Sequence, residues 1–435
     1  MRKELVSIAA GAGCVAMLSL FLSAGGDASL RDAARWINAQ AQTAAIFFIT
    51  SITSTEIQQH YVAKPVTDAV TGTPVQTVAP TPKKVKILIV PGHRPSAGGT
   101  AFDGVYERNV VVDIADALAT LLEQNPHYDV MVARTKTGWN PVLLNYFDTH
   151  AADIEAFREK QIADMEAHLA DGSILPAEDQ VYHNPTPSLA TLQLYGINKW
   201  ASENGYDIVL HIHINDEAGH RSWAPGEDSG YAVYVPDHQY SNAAASADIG
   251  RAIAKRLDLF HARSTLPKED SGVVEDQQLI AIGSNNSADS AALLIEYGYI
   301  YEPQFQLASI RQLAIADYAY QTYLGLQDFF GDPVPTTFGS VSFPYDWDTV
   351  TAKKGDKGPG IYALQAALHT LGFYPAAGKS FSDCPISGIA GACTKAAIQG
   401  YQEAHNIETT GTLGPKTRAQ LTTDIARPIL SRATP

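Results

Sequence analysis

Four polar residues stand at the ends of apolar runs that lie far apart in the chain. His93 follows the run in "KILIVPGHRP", and His213 lies in "VLHIHIND". Glu107 opens the amphipathic segment "YERNVVVDIADALATLL", and Glu296 ends the apolar run "AALLIE". A catalytic zinc ion takes about three His or Glu ligands and keeps one position open for water. Two histidines, a glutamate and a further carboxylate are therefore typical of a hydrolytic zinc site.

Each of these residues also has a simpler interpretation. A lone histidine after a strand is more often a turn residue, Glu107 could complement a helix N-terminus, and Glu296 could pair with a buried cation. In "HIHIN" the period of two puts His211 and His213 on the same side of a strand, so periodicity leaves both open as ligands. The position nearer the carboxyl end of the strand favours His213. The four residues taken together favour the metal site.

The elements that must position these residues follow an alternating pattern. We predict strands over Lys86–Val90, Asp129–Ala133, Asp207–Ile214, Gly230–Val235 and Ala291–Glu296. We predict helices over Val110–Glu123, Ala151–Ala170, Ser188–Asn204, Ala243–Phe260 and Pro303–Phe329. Alternation of this kind indicates an α/β sheet covered by helices on both faces. Ligands of such sheets collect beyond the carboxyl ends of the strands, so chemistry is expected at residues just after a strand, such as His93.

Composition limits the class of protein. The chain has 435 residues, of which 45% are hydrophobic and 18% are charged, so it is globular and too long for one ordinary core. The formal net charge of -15 argues against nucleic acid as a partner, because phosphate binding needs clustered cations.

The first 26 residues are typical of an export signal. Arg2 and Lys3 precede an apolar stretch from Leu5 to Leu22. This stretch approaches the ~20 residues that span a bilayer, so a cleaved signal peptide and an uncleaved membrane anchor both stay open. Either way, the rest of the chain is expected outside the cytoplasm. In that oxidising environment we predict a disulfide between Cys384 and Cys393, which the loop-entropy model values at about 2.5 to 3 kcal/mol.

The remaining pattern predicts further segments. These are a helical segment and Pro/Thr-rich tether over 27–84, the α/β unit over 85–330 with a long insertion over 136–193, a linker over 331–354, a small module over 355–425 and a tail over 426–435. In the module we expect helices over Tyr362–Leu371 and Thr394–His405, with another near Pro415–Leu421. The insertion could be a lid, an autoinhibitory element or a surface decoration.

The order of the four chemical segments resembles a known family, the zinc-dependent N-acetylmuramoyl-L-alanine amidases of the amidase_3 type, over roughly 85–325. "YERNVVVDIA" resembles the family's Glu-x-Asn/Asp helix, "LHIHIND" its "SIHAN", and "LLIEYGYI" its "LVELGFI". The segment "VPGHRP" departs from the family's "DPGHGG" at Val90, Arg94 and Pro95. Arg134 in "VART" fits the family's Thr-Arg loosely and is not expected to be catalytic.

The resemblance implies a fold, a cofactor and an activity. It implies a mixed sheet flanked by helices on both faces, as in zinc amidases and exopeptidases, and one Zn²⁺ held by His93, Glu107 and His213. Glu296 would be the catalytic carboxylate, and His211 falls where the family has Ser, as a neighbour of the ligands. The implied reaction is hydrolysis of the amide between N-acetylmuramic acid and L-Ala of the stem peptide.

The C-terminal module resembles the peptidoglycan_binding_1 domain, a small three-helix wall-binding domain. "LQAALHTLGF" and "TGTLGPKTRAQL" match its characteristic segments, which implies peptidoglycan as a partner. Two alternatives stay open from the sequence. One is a zinc peptidase that cuts within the stem peptide, and the other is a wall-binding protein without catalytic activity.

Overall fold

The computed structural model describes residues 83–177, 180–217, 219–331, 347–380 and 383–431. The predicted export signal or anchor, the helical segment and the tether that follows it therefore lie outside the described residues, as does most of the predicted linker. Within the described ranges, no helix combines the length and the apolar character that crossing a bilayer requires.

The α/β unit of the chain is built on a mixed sheet. The described strands are β1 (Val85–Pro91), β2 (Ala101–Phe102), β3 (Val105–Tyr106), β4 (Tyr128–Val132), β5 (Ile208–Asn215), β6 (Ala232–Pro236), β7 (Val273–Asp276) and β8 (Ala291–Tyr299). The main sheet has the order β4-β1-β5-β8-β6-β7, and β2 and β3 form a separate hairpin. Neighbouring strands of the main sheet run parallel, except that β6 is antiparallel to β8.

The central strands consist mostly of Val, Ile and Leu because helices bury them on both faces. The described helices are α1 (Glu107–Leu122), α2 (Pro141–Thr149), α3 (Ala151–Asp171), α4 (Ser188–Glu203), α5 (Ala243–Leu257), α6 (Pro303–Gln306), α7 (Ala308–Phe330), α8 (Pro359–Thr370), α9 (Ala392–Ala404) and α10 (Pro415–Ser431). One face of the sheet packs against α1, α5 and α7, and the other packs against α2 to α4. This arrangement confirms the predicted fold class.

The parallel strands bring their carboxyl ends to one edge of the sheet. In the register of these strands Val90 of β1 is opposite His211 of β5, and His213 is opposite Glu296 of β8. The turn after β1, the end of β5 and the second half of β8 are therefore neighbours. Three of the four chemical segments meet here because of strand order alone.

The insertion adds an outer layer on one face of the sheet. It contains α2 and α3, which pack against α4 through buried side chains that include Leu143, Phe147 and Ile154. The sequence prediction of a helix from Ala151 is confirmed. The preceding helix α2 was missed, although Asn140 caps it by accepting a hydrogen bond from Val142 N and Pro141 occupies its first turn.

The C-terminal module is helical, and it has its own core. The side chain of Gln365 is buried and connects α8 to the following loop, because its oxygen accepts the backbone N–H groups of Ser387 and Gly388. Cys384 and Cys393 form the predicted disulfide. Phe260 and Ile310 of the α/β unit pack into this core, so the module contacts the catalytic part directly.

Candidate active site

The turn after β1 places His93 in an unusual backbone conformation. His93 has a φ of 67°, in the left-handed region that residues other than glycine rarely adopt. Gly92 precedes it, and a Cβ on Gly92 would lie 2.4 Å from Cε1 of His213. Only glycine at this position lets the turn pass so close to the second histidine.

Glu107 is the first residue of α1, and its carboxylate is fixed inside the site. One oxygen, Oε2, accepts the Thr100 N–H at 2.9 Å, and the other, Oε1, accepts the Ile214 N–H at 3.1 Å. Oε1 also lies 2.8 Å from Nε2 of His93 and 3.2 Å from Nδ1 of His213. Candidate ligand atoms of the three residues all lie within 4.8 Å of one another.

The protonation states suit a metal site. Burial by itself raises the pKa of Glu107. The two histidines lower this pKa by more than burial raises it, so it lies well below its usual range. Burial lowers the pKa of His213 and favours its neutral imidazole. A carboxylate and a neutral imidazole are the forms in which these side chains bind metal ions.

Glu296 lies beside this group with one oxygen unpaired. Part of its side chain reaches solvent, but Oε2 is enclosed and has no hydrogen-bond partner among the described residues. Enclosure raises the pKa of Glu296 well above its usual range, and the negative charges of Glu107 and Glu269 raise it further. A carboxyl group with a raised pKa can hold a proton near neutral pH.

Sequence reasoning missed Glu269, a second buried carboxylate near Glu296. Glu269 is 1% exposed and accepts hydrogen bonds from Asn215 Nδ2 and Tyr299 Oη, each at 3.2 Å, and from the Tyr234 hydroxyl. It comes from the loop before β7, where no periodic pattern marks it. The only available signal was Asn215 in "IND", which needs a partner when buried.

Arg134 binds the backbone next to two of the candidate ligands. It is 1% exposed, and its guanidinium donates to the carbonyls of Pro91 at 3.0 Å, of Gly92 and of Arg108 at 3.0 Å. The first two carbonyls directly precede His93, and the third follows Glu107. Arg134 therefore fixes the two segments that carry candidate ligands.

His211 remains outside the metal group. It is 1% exposed, its Nε2 has no hydrogen-bond partner among the described residues, and burial lowers its pKa to about 3. A second group with metal-ligand spacing consists of Asp237, His238 and Glu275. These residues lie at the carboxyl ends of β6 and β7, which point away from the edge that carries His213 because β6 is antiparallel to β8.

Two segments of the chain match models of known protein families. Residues 87–309, more than half of the chain, match the family model for N-acetylmuramoyl-L-alanine amidase, and residues 357–421 match the model for a peptidoglycan binding domain. No curated protein matches the chain in sequence.

Two similar solved structures are amidases. One, from Clostridium difficile 630, is 15% identical, with 58% of this chain and 99% of that chain covered and a TM-score of 0.36. The other, Ami1 from Mycobacterium smegmatis, is 13% identical, with 57% and 97% covered and a TM-score of 0.38. The assignment rests on the family match: the chain belongs to the N-acetylmuramoyl-L-alanine amidase family and is a peptidoglycan hydrolase with a second, peptidoglycan-binding unit.

Proposed function

We propose that the chain hydrolyses the amide between N-acetylmuramic acid and L-Ala of the stem peptide. One zinc ion held by His93, Glu107 and His213 serves this reaction. The observation that carries the proposal is the approach of His93 to Glu107. Nε2 of His93 is buried 2.8 Å from Oε1 of Glu107, yet it makes no hydrogen bond to any described residue. Candidate ligand atoms of His93, Glu107 and His213 that all lie within 4.8 Å of one another fit a shared metal ion.

The donor set also supports zinc. Two imidazoles and one carboxylate are a ligand set of catalytic zinc sites, in which a fourth position stays open. When bound, zinc supplies Lewis acidity that polarises an amide carbonyl and lowers the pKa of water. Glu107 keeps its orientation through two backbone N–H groups, which hold one oxygen toward both histidines.

Glu296 is the proposed general base and acid. Its unpaired Oε2 takes the proton of the attacking water, and the raised pKa lets the carboxyl group retain that proton. It then gives the proton to the amine of L-Ala as the amide C–N bond breaks. Glu269 contributes a fixed negative charge nearby, which favours the protonated form of Glu296.

The test separates the base from the ligands. In Glu296→Gln we expect kcat on purified sacculi to fall by roughly 10²- to 10⁴-fold while one zinc per chain is retained. In His93→Ala and His213→Ala we expect the zinc to be lost. His211→Ser is the matched control, because this buried histidine of the same strand lies outside the metal group, and it should keep zinc and activity. Retained turnover in Glu296→Gln would refute the proposed role.

Product analysis distinguishes the amidase from the peptidase alternative. The amidase releases whole stem peptides with a free L-Ala amino group and leaves muramic acid without peptide. A peptidase would leave at least L-Ala attached to muramic acid. Mass spectrometry of the soluble products identifies either outcome.

We also propose that the chain is exported through its first 26 residues, because peptidoglycan lies outside the cytoplasm and Arg2 and Lys3 precede an apolar run. Cell fractionation with an antibody to the catalytic part tests this proposal. The mass of the isolated protein shows whether the signal is cleaved or kept as an anchor. A full-length protein confined to the cytoplasm would contradict export.

A further inference from the structure

Three large aromatic side chains of the described residues are exposed to solvent. Tyr106 is 42% exposed, Tyr182 is 75% exposed and Trp223 is 73% exposed, and every other aromatic side chain in the described ranges is buried or half-buried. An exposed tryptophan or tyrosine leaves a large flat apolar face in water. Single exposed apolar residues are common, so the location of these three decides whether they matter.

Tyr106 adjoins the candidate metal site directly. It ends β3, and the next residue in the chain is Glu107. The guanidinium of Arg108 lies 4.2 Å from the centre of its ring. The ring is therefore supported on one side by a cation and is fixed in the backbone next to a candidate ligand.

Trp223 lies on the loop that follows β5, the strand that carries His213. The loop turns tightly here, since Ala224 N donates to Arg221 O at 3.0 Å, and Ser222 O accepts the Asp103 N–H at 3.2 Å from the β2–β3 hairpin. The guanidinium of Arg221 lies 5.7 Å from the centre of the Trp223 ring. Trp223 and Tyr106 are thus held by the same hairpin.

The base of this loop is packed, so the exposure of Trp223 is built into the fold. The ring of His220 lies between Phe102 and Tyr301, with centroid distances of 5.6 Å and 4.7 Å. Nδ1 of His220 lies 2.9 Å from a carboxylate oxygen of Asp216. These contacts fix the base of the loop that carries Trp223.

Tyr182 lies on the return segment of the insertion, which is held against β6 and β7. The next residue, His183, lies 2.8 Å from Asp276, and its ring contacts that of Tyr234 at 5.5 Å. The Tyr234 hydroxyl bonds Glu269, so the segment is linked to the site through Tyr234. The segment is held a second time where Lys268 Nζ donates to Gln180 O at 2.7 Å.

We propose that Tyr106, Tyr182 and Trp223 are stacking positions for N-acetylated sugar rings of the glycan strand on either side of the muramic acid that is cleaved. A pyranose ring presents a face of C–H groups, and stacking on an aromatic face removes apolar surface of both from water. The neighbouring guanidinium groups of Arg108 and Arg221 offer N–H donors to hydroxyl and acetamido oxygens. The inference deepens the proposed function and rests on it.

The insertion thereby gains a role in substrate binding through Tyr182. The stem peptide is the competing occupant, since its carboxylates could pair with the same arginines. Large aromatic side chains are exposed at these positions, and an aromatic face favours a sugar ring over an anionic peptide.

The test compares two soluble substrates of the full chain. One is a muramoyl peptide with a single sugar, and the other carries the same peptide on a four-sugar strand. For Trp223→Ala we expect KM for the four-sugar substrate to rise roughly two- to twelvefold, and less than twofold for the single-sugar substrate. Tyr182→Ala and Tyr106→Ala should act in the same direction, and Trp223→Tyr should restore most of the affinity.

Leu144→Ala is the matched control, because Leu144 is an apolar residue that is 45% exposed on α2 and is not aromatic. An unchanged KM for the four-sugar substrate in a folded Trp223→Ala protein would overturn the inference. An equal rise for both substrates would assign the surface to the stem peptide and overturn the sugar assignment.

A binding measurement separates this inference from the proposed catalysis. Titration calorimetry of the metal-free full chain with a peptide-free N-acetylated tetrasaccharide needs no turnover. Weaker binding in Trp223→Ala than in Leu144→Ala supports the stacking surface even if the zinc mechanism is wrong. Equal binding in the two variants contradicts it.

Discussion

Replacement of Gly92 by alanine tests how tightly the turn after β1 and His213 fit together. The added Cβ would lie 2.4 Å, 2.5 Å and 2.7 Å from three atoms of the His213 ring, whereas ordinary contacts begin at 3.4 Å. The ring or the turn must therefore move by about 1 Å. Metal–ligand distances tolerate about 0.2 Å, so the shift is several times larger than a zinc site accepts. We expect zinc affinity to fall by at least the roughly 10- to 100-fold seen when supporting residues are altered.

The assay for Gly92→Ala is competition for zinc with a fluorescent chelator, combined with thermal unfolding of the metal-free protein. The matched control is Gly138→Ala, since a Cβ at Gly138 meets no atom within 4 Å and its φ lies outside the left-handed region. Overpacking of this kind costs about 1–3 kcal/mol, so some loss of stability is expected in Gly92→Ala. A zinc affinity equal to that of Gly138→Ala would refute the reasoning.

Three further predictions concern the support of the site and of the second unit. Arg134→Met should weaken zinc binding roughly 10- to 100-fold, because strained residues such as His93 persist only when their surroundings fix them. Arg256→Met removes an arginine that pairs with Asp328 between α5 and α7 and should not weaken it, so equal zinc affinities of the two variants would contradict this. Cys393→Ser should lower the free energy of unfolding of the C-terminal module by about 2.7 kcal/mol in denaturant titrations, and an unchanged midpoint would show that the loop is constrained without the bond. Burial lowers the pKa of His369, so the unfolded chain binds more protons as pH falls below about 6.5. Stability should therefore fall on acidification less steeply in His369→Gln than in the wild-type protein, and identical slopes would contradict this.

Much of the candidate site could be predicted because its residues end continuous apolar runs. A run of Val, Ile and Leu predicts a buried strand, and the carboxyl ends of parallel strands meet at one edge. The structure places His93, Glu107, His213 and Glu296 together at that edge. The choice of His213 over His211 also follows from position along β5.

The parts that could not be predicted depend on contacts between distant segments. Glu269 lies in a loop, and nothing local indicates that two tyrosines and an asparagine will enclose it. Strand β7 is four residues long and carries two acids, so it lacks the apolar run that marks a strand. The supporting role of Arg134 depends on three backbone carbonyls from two other segments. Such features arise from tertiary packing and have no periodic signature.

The insertion illustrates both cases. The helix over Ala151–Asp171 was predicted over Ala151–Ala170. Its packing against α4 and the contact of His183 with Tyr234 became visible only in the fold. The sequence left a lid, an autoinhibitory element and a decoration open. The contacts indicate a fixed outer layer whose return segment packs against Tyr234 of β6.

The most direct test of the zinc centre is anomalous X-ray scattering at the zinc edge from crystals of the zinc-loaded, active protein. The proposed site predicts one strong peak enclosed by His93, Glu107 and His213. A peak confined to Asp237, His238 and Glu275, or no peak beside His93 in an active sample, would contradict it.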